Sequence, residues 1–161
     1  MTVTIDSRTL DNVKVGEELL QLDYPVTTTT IVLGAMASRD WRPMHHDYHF
    51  AVDRQGTKDI FMNTPNQAYW FERYVTDWTG PKGRIGSMRF KMRSSVFPDD
   101  LMAISGMVTN VETDATGCSW AELDLAIKVG ERVATECKAR IALPTTDDDN
   151  PWDRRGERWQ P

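Results

Sequence analysis

Cysteine is scarce in this sequence. Cys118 and Cys137 are the only two in 161 residues. Both fall in strand-like runs and no Cys-x-x-Cys occurs, which excludes a disulfide framework and a thiolate zinc site. Positive charge is in deficit: 19 Lys and Arg stand against 24 Asp and Glu, for a net charge of -5. That balance argues against a nucleic-acid-binding surface and against a polybasic anchor on an anionic membrane. No window of about 18 uncharged apolar residues exists, so no bilayer-spanning helix is expected. The start, Met1-Thr2-Val3-Thr4-Ile5-Asp6-Ser7-Arg8, lacks a basic stretch followed by an apolar one, so no signal peptide is expected and a cytoplasmic protein is. There is no Gly-x-Ser-x-Gly, no phosphate-cradling glycine loop and no dinucleotide fingerprint. What remains is 40% hydrophobic and 27% charged, the composition of a globular protein. A chain of 161 residues suits one domain. At that size about 70% of the unfolded surface can be buried without covalent staples.

From Gly83 to Leu143 the hydrophobic period is two. Met88, Phe90 and Met92 alternate with Arg89, Lys91 and Arg93. Leu101 to Val111 is a second strand-like run. Ala121, Leu123, Leu125, Ile127 and Val129 form a third, and Val133, Thr135, Cys137, Ala139, Ile141 and Leu143 a fourth. The pattern predicts an antiparallel meander of about four strands with one wet face. A turn at Gly130-Glu131 would set Cys137 near Asp124 and Cys118 near Leu143, keeping the thiols apart. Upstream, Glu17 to Tyr24 reads as an edge strand and Thr28 to Ser38 as a short helix. A long helix follows, with Thr64 as N-cap and Pro65 at its first position. Ala68, Phe71, Val75 and Trp78 make one face, and Gly80-Pro81 stops it. Tyr69, Trp70 and Tyr74 extend the apolar surface beyond one stripe, which predicts deep burial. The economical architecture is α+β, a long central helix wrapped by a curved antiparallel sheet over residues 1–144. Residues 145–161 have the composition of an irregular tail, expected to pack only against a neighbouring subunit.

All three histidines, His45, His46 and His49, lie within five residues, flanked by Asp40 and Asp47. One reading is a solvated loop with Asp47 near a helix start. A second places zinc on His45 and His49, four residues apart. It lacks the Glu that should follow the first His and has no third ligand, so no metal is expected. The third reading is acid–base chemistry. Pro43 forces Arg42 out of the helical region, and the resulting turn can fold Asp40 back on His45. A carboxylate and an imidazole within reach of one water form a proton-handling pair.

Asp40-Trp41-Arg42-Pro43-Met44-His45, followed by Ala51, resembles the signature of the MaoC-like dehydratases and (R)-specific enoyl-CoA hydratases, the hydratase 2 group. That signature runs Asp-x-Asn-Pro-aliphatic-His, then five residues, then Ala or Ser. Phe97-Pro98-Asp99-Asp100-Leu101 resembles the Pro-Gly-Asp-x-Leu turn of the same family. Arg42 replaces the family Asn, Arg39 replaces a Gly, and Met62-Asn63 replaces the His-Gly that opens the central helix. The resemblance implies the hotdog fold and an enoyl-CoA hydratase or 3-hydroxyacyl-CoA dehydratase, a hydro-lyase of fatty acid or steroid metabolism. It makes Asp40 and His45 the catalytic pair and the backbone N–H groups of Asn63 and Thr64 the donors to the thioester oxygen. Arg42, Arg89, Lys91 and Arg93 become candidates for binding the coenzyme A phosphates. The alternative for the strand cations is a solvated face. Coenzyme A enters only as part of an acyl-CoA substrate, and no other cofactor is implied. Partners implied are a second copy or another MaoC-like chain, as in the heteromers of sterol side-chain degradation. Two rival functions stay open: a non-catalytic or partner-dependent hotdog subunit, and a hotdog thioesterase using Glu72 on the central helix.

Overall fold

The structure is a computed structural model that describes residues 7–161. Met1 to Asp6, on which the reading of no signal peptide partly rests, lie outside the described residues. Five strands form one antiparallel sheet: β1 (Glu18–Pro25), β2 (Arg84–Met92), β3 (Leu101–Thr113), β4 (Ser119–Val129) and β5 (Arg132–Leu143). Two helices precede β2, α1 (Thr28–Ala37) and α2 (Thr64–Thr79). Among the described residues no helix is long and apolar enough to cross a membrane.

The strand order is β1-β3-β4-β5-β2. β3, β4 and β5 are joined by hairpins, as the alternation predicts. β2 is not part of that meander, because it pairs with β5 at the far edge while β1 pairs with β3. The reason lies in residues 93–100, which cross from one edge to the other. Arg93 and Ser94 N–H donate to Ala134 O at 2.8 and 3.1 Å, Met62 N–H to Val96 O at 2.8 Å, and Val26 N–H to Asp100 O at 2.9 Å. The Phe97-Pro98-Asp99-Asp100 turn therefore opens β3 against β1.

The β4–β5 hairpin turns at Gly130, whose φ of 57° suits glycine. A bulge between Ile127 and Lys128 shifts the pairing by one residue, so Cys137 lies opposite Leu125 rather than Asp124. Both thiols are buried and free. Burial pushes the Cys137 thiol up to about 12.

α2 lies across the inner face of the sheet. Phe71 and Val75 are fully buried and Tyr74 nearly so, among Met102, Ile104, Val108, Leu123 and Ile127. Phe71 stacks on Phe90 with ring centroids 5.8 Å apart. Full burial of a side chain of this kind stabilises by about 1.5–3 kcal/mol. Gly106 makes room for the helix, since a Cβ there would sit 2.5 Å from Leu125 and 3.3 Å from the Tyr74 ring. The expected deep burial is met on one face only: Tyr69, Glu72, Arg73, Thr76 and Asp77 are exposed, so the helix has one wet face. The cap also moves. Asn63, not Thr64, is the N-cap, its side chain accepting from Asn66 N–H at 3.2 Å, with Thr64 the first helical residue.

The tail contains two short 3-10 turns, Pro151–Asp153 and Gly156–Arg158. Contrary to expectation it packs on its own chain. Trp159 meets Trp120 at 5.1 Å, and Arg84 lies 3.5 Å above the Trp159 ring. Arg84 also donates to Pro151 O and Arg154 O at 3.2 and 3.0 Å. Cys118, Trp120 and Ala142 are the buried floor of this small second cluster. An aliphatic-poor tail thus docks through tryptophan and arginine, by ring burial and cation–π attraction.

Candidate active site

The site is assembled where α1 ends and α2 begins. α1 starts with a capping box, Thr27 with Thr30. It closes with a Schellman turn: Arg39 N–H donates to Met36 O at 3.0 Å and Asp40 N–H to Ala35 O at 2.9 Å. Arg39 holds the left-handed position at φ 55°. That conformation costs a non-glycine residue about 1–2 kcal/mol, and it aims the chain back toward α2. α1 approaches α2 at Gly34. A Cβ there would lie 2.0 Å from the Asn66 amide, which itself donates to Thr30 O at 3.1 Å. The close helix contact brings Ser38 and Asp40 to the first turn of α2.

Pro43–His45 forms a short 3-10 turn that buries the His45 ring. His45 Nδ1 lies 2.7 Å from Phe61 O, and the ring stands edge-on to Phe61 at 4.9 Å. A carbonyl only accepts, so Nδ1 carries hydrogen and Nε2 is the working nitrogen. Nε2 lies 3.6 Å from Asp40 Oδ2. Asp40 is held on both oxygens. Asn63 Nδ2 donates to Oδ2 at 3.0 Å, while the Arg42 backbone N–H and Nε approach Oδ1 at 3.4 and 3.3 Å. The hydrogen bond from Asn63 leads, with Arg42 and His45 adding to it, and Asp40 stays below the usual carboxylate range. Arg42 thus pairs with Asp40 and leaves much of its side chain, 73% exposed, to solvent.

Asp40, His45, Phe61, Asn63, Thr64 and Met92 share a cavity of about 190 Å³. Thr64 Oγ1 contacts Met92 Sδ at 2.8 Å across its mouth. Among the described residues neither the Asn63 nor the Thr64 backbone N–H has a partner, and Pro65 has no N–H to offer. The open end of α2 therefore presents two free donors and a positive dipole end beside the Asp40–His45 pair.

The other sequence candidates lie elsewhere. Arg89 and Lys91 alternate with the inward Phe90 and so stand on the outer face of β2. Arg93 is held by Glu136 at 2.9 Å. None of the three lines the cavity that holds Asp40 and His45. His49 is exposed and paired with Asp53 at 3.2 Å, apart from the buried His45. Among the described residues no three His, Cys, Asp or Glu side chains converge as a metal ion would need. Glu72 is exposed and outside the cavity. The sequence reading missed the Asn63 side chain, the Phe61 carbonyl and Met92. Asn63 alone left a signal, since Asn before Thr-Pro is a good cap.

A scan of known family models finds no match. Individual proteins do match. The chain is 40% identical over 97 residues to the beta subunit of 3-oxo-4,17-pregnadiene-20-carboxyl-CoA hydratase of Mycobacterium tuberculosis, covering 60% of this chain and 74% of that one. Its structure superposes on a chain of the ChsH1–ChsH2 complex of M. tuberculosis with a TM-score of 0.75 and 31% identity, over 81% of this chain and 98% of that one. The (R)-hydratase of A. caviae involved in PHA biosynthesis shares the fold at a TM-score of 0.73 and 21% identity, over 82% of this chain and 98% of that one. The relatives, the five-stranded sheet around α2 and the Asp40–His45 turn agree: the chain belongs to the MaoC-like family of hydratases and dehydratases, built on the hotdog fold.

Proposed function

We propose that this chain is the catalytic subunit of a hydro-lyase that adds water across the double bond of a 2-enoyl-CoA thioester, and reverses that step. The observation that carries the reading is the 3.6 Å approach of Asp40 Oδ2 and His45 Nε2 in one cavity with two free amides. A water between the carboxylate and the imidazole can give one hydrogen to each, leaving its oxygen lone pair for the β-carbon. As the O–Cβ bond forms, the pair takes one proton and the π electrons move onto the thioester oxygen. The Asn63 and Thr64 N–H groups stabilise that enolate oxygen. The proton then returns to the α-carbon, so H and OH are added and nothing is oxidised. Coenzyme A belongs to the substrate in this scheme. Arg42, with donors to spare at the cavity edge, is the candidate for its phosphates.

The acyl group is proposed to be bulky, on the strength of the pregnadiene-carboxyl-CoA named for the M. tuberculosis relative. A cavity of about 190 Å³ is smaller than the roughly 300–1,000 Å³ that encloses a drug-sized ligand. A second hotdog chain is therefore proposed to complete the binding wall. The relative's name as a beta subunit, and the ChsH1–ChsH2 complex to which the superposing chain belongs, support that view. The ordered Asp40–His45 pair favours a catalytic over a merely supporting subunit. The exposed Glu72 disfavours the thioesterase.

The test is loss of enoyl-thioester absorbance with a series of 2-enoyl-CoAs, from crotonyl to polycyclic, using the chain alone and with a hotdog partner. Hydration of at least one bulky substrate is expected. Silence with every substrate, with and without the partner, overturns the reading.

A further inference from the structure

We infer that Asn63 is a positioning residue of the site: its side-chain amide clamps the Asp40 oxygen that faces His45 and ties it to the ends of both helices. This rests on the proposed role of Asp40 and assigns a function to a side chain, not to the backbone N–H of the same residue.

Every polar atom of the Asn63 carboxamide is used. Oδ1 accepts from Asn66 N–H at 3.2 Å. Nδ2 donates to Ser38 Oγ at 2.9 Å and to Asp40 Oδ2 at 3.0 Å. The orientation of the amide follows from its neighbours. Asn66 N–H can only donate. The Asp40 carboxylate can only accept. Ser38 spends its single hydrogen on Gly34 O and Ala35 O, at 2.8 and 3.1 Å, and so accepts from Asn63. The residue is 2% exposed, so water does not compete for these bonds. One amide thus joins the N-cap of α2, the C-cap of α1 and the reacting carboxylate.

The consequence is chemical as well as structural. A donor on Oδ2 favours the ionised form of Asp40 and fixes the oxygen that would meet the water. The ionisable groups that face Asp40 are Arg42 and His45, both from its own turn, while α2 contributes the non-ionisable Asn63. Without the Asn63 donor, protonation of Asp40 moves to higher pH.

The test uses the hydratase assembled with its partner. Asn63→Ser keeps a helix-capping oxygen and removes the amide Nδ2–H that reaches Asp40 Oδ2, its shorter hydroxyl standing back at the cap. Asn63→Asp keeps the cap and sets a carboxylate against Asp40. Expected are a fall in kcat of about tenfold or more for Asn63→Ser, the scale of a lost hydrogen bond to a charged group, and little change in KM. The acid limb of the pH–rate profile moves upward in the order wild type, Asn63→Ser, Asn63→Asp. Titration of the Asp40 carboxyl carbon by NMR reports the same order without turnover. Should either variant fail to fold, Ser38→Ala frees one anchor of the amide and should move the limb in the same direction by less. An unmoved acid limb and Asp40 titration, with Asp40→Asn inactive, overturns the inference and leaves the Asp40 mechanism standing. Full activity in Asp40→Asn overturns both.

Discussion

Over its first turn α2 buries Asn66 and Gln67 behind the buried cap Asn63, whereas from Phe71 onward it buries Phe71, Tyr74 and Val75. The two stretches lie on one helix and are held by different forces. At the start, each amide has a named partner. Asn66 reaches Thr30 O at 3.1 Å, and Gln67 accepts from Thr135 on β5 and donates to Met62 O at 3.5 Å. Further along, packing dominates, and among the described residues the buried Tyr74 hydroxyl has no partner. Burial pushes that phenol up to about 12. The hydrogen-bonded turn fixes directions, which a proton-transfer site needs. The packed stretch fixes volume, which a fold needs. Changes in the second stretch should therefore cost stability, and changes around the first should cost rate.

The largest stability loss is expected from Phe71→Ala. A fully buried ring on the sheet should cost about 3–5 kcal/mol in denaturant unfolding, with hydration per folded molecule close to wild type. A rate loss exceeding the unfolded fraction would break the division. Gly34→Ala should do the reverse. Its Cβ would meet the Asn66 amide at 2.0 Å, pushing α1 from α2 at about 1–3 kcal/mol of overpacking. Displacement of Asp40 by even 1 Å should lower hydration by up to about a hundredfold. Unchanged turnover would show that the helix contact does not set the site. The smallest effect is expected from Arg39→Gly. It relieves a left-handed residue, φ 55°, and should raise stability by about 1 kcal/mol. The thermal midpoint rises with turnover intact. A fall in the midpoint would mean that the Arg39 side chain supports the turn.

Much of this was legible in the residues themselves. The alternation in β4 and β5 is dictated by one wet and one buried face, and α2 lies within one residue of its expected start because Asn63-Thr64-Pro65 and Gly80 are local signals. Pro43 and the spacing of Asp40 and His45 announced the turn. What stayed hidden depends on distance along the chain. The pairing of β2 with β5 follows from a crossover that no local period encodes. The partner of His45 is a backbone carbonyl, Phe61, which has no sequence signature. Asn63 reads as a cap, and its second task needs Ser38 and Asp40, placed beside it only by the α1–α2 contact. The tail hid for another reason: its tryptophans and arginines look like interface residues until Trp120 and Arg84 are seen to meet them.

The proposed pairing of Asp40 with His45 as the proton-handling unit is tested most directly by Asp40→Asn and His45→Gln, assayed on a 2-enoyl-CoA under conditions, with or without a hotdog partner, in which the wild-type chain hydrates it. Each is expected to lower kcat by at least about a hundredfold, the scale of a lost general acid–base group, with circular dichroism and thermal midpoint unchanged. Wild-type turnover in both folded variants would contradict the account.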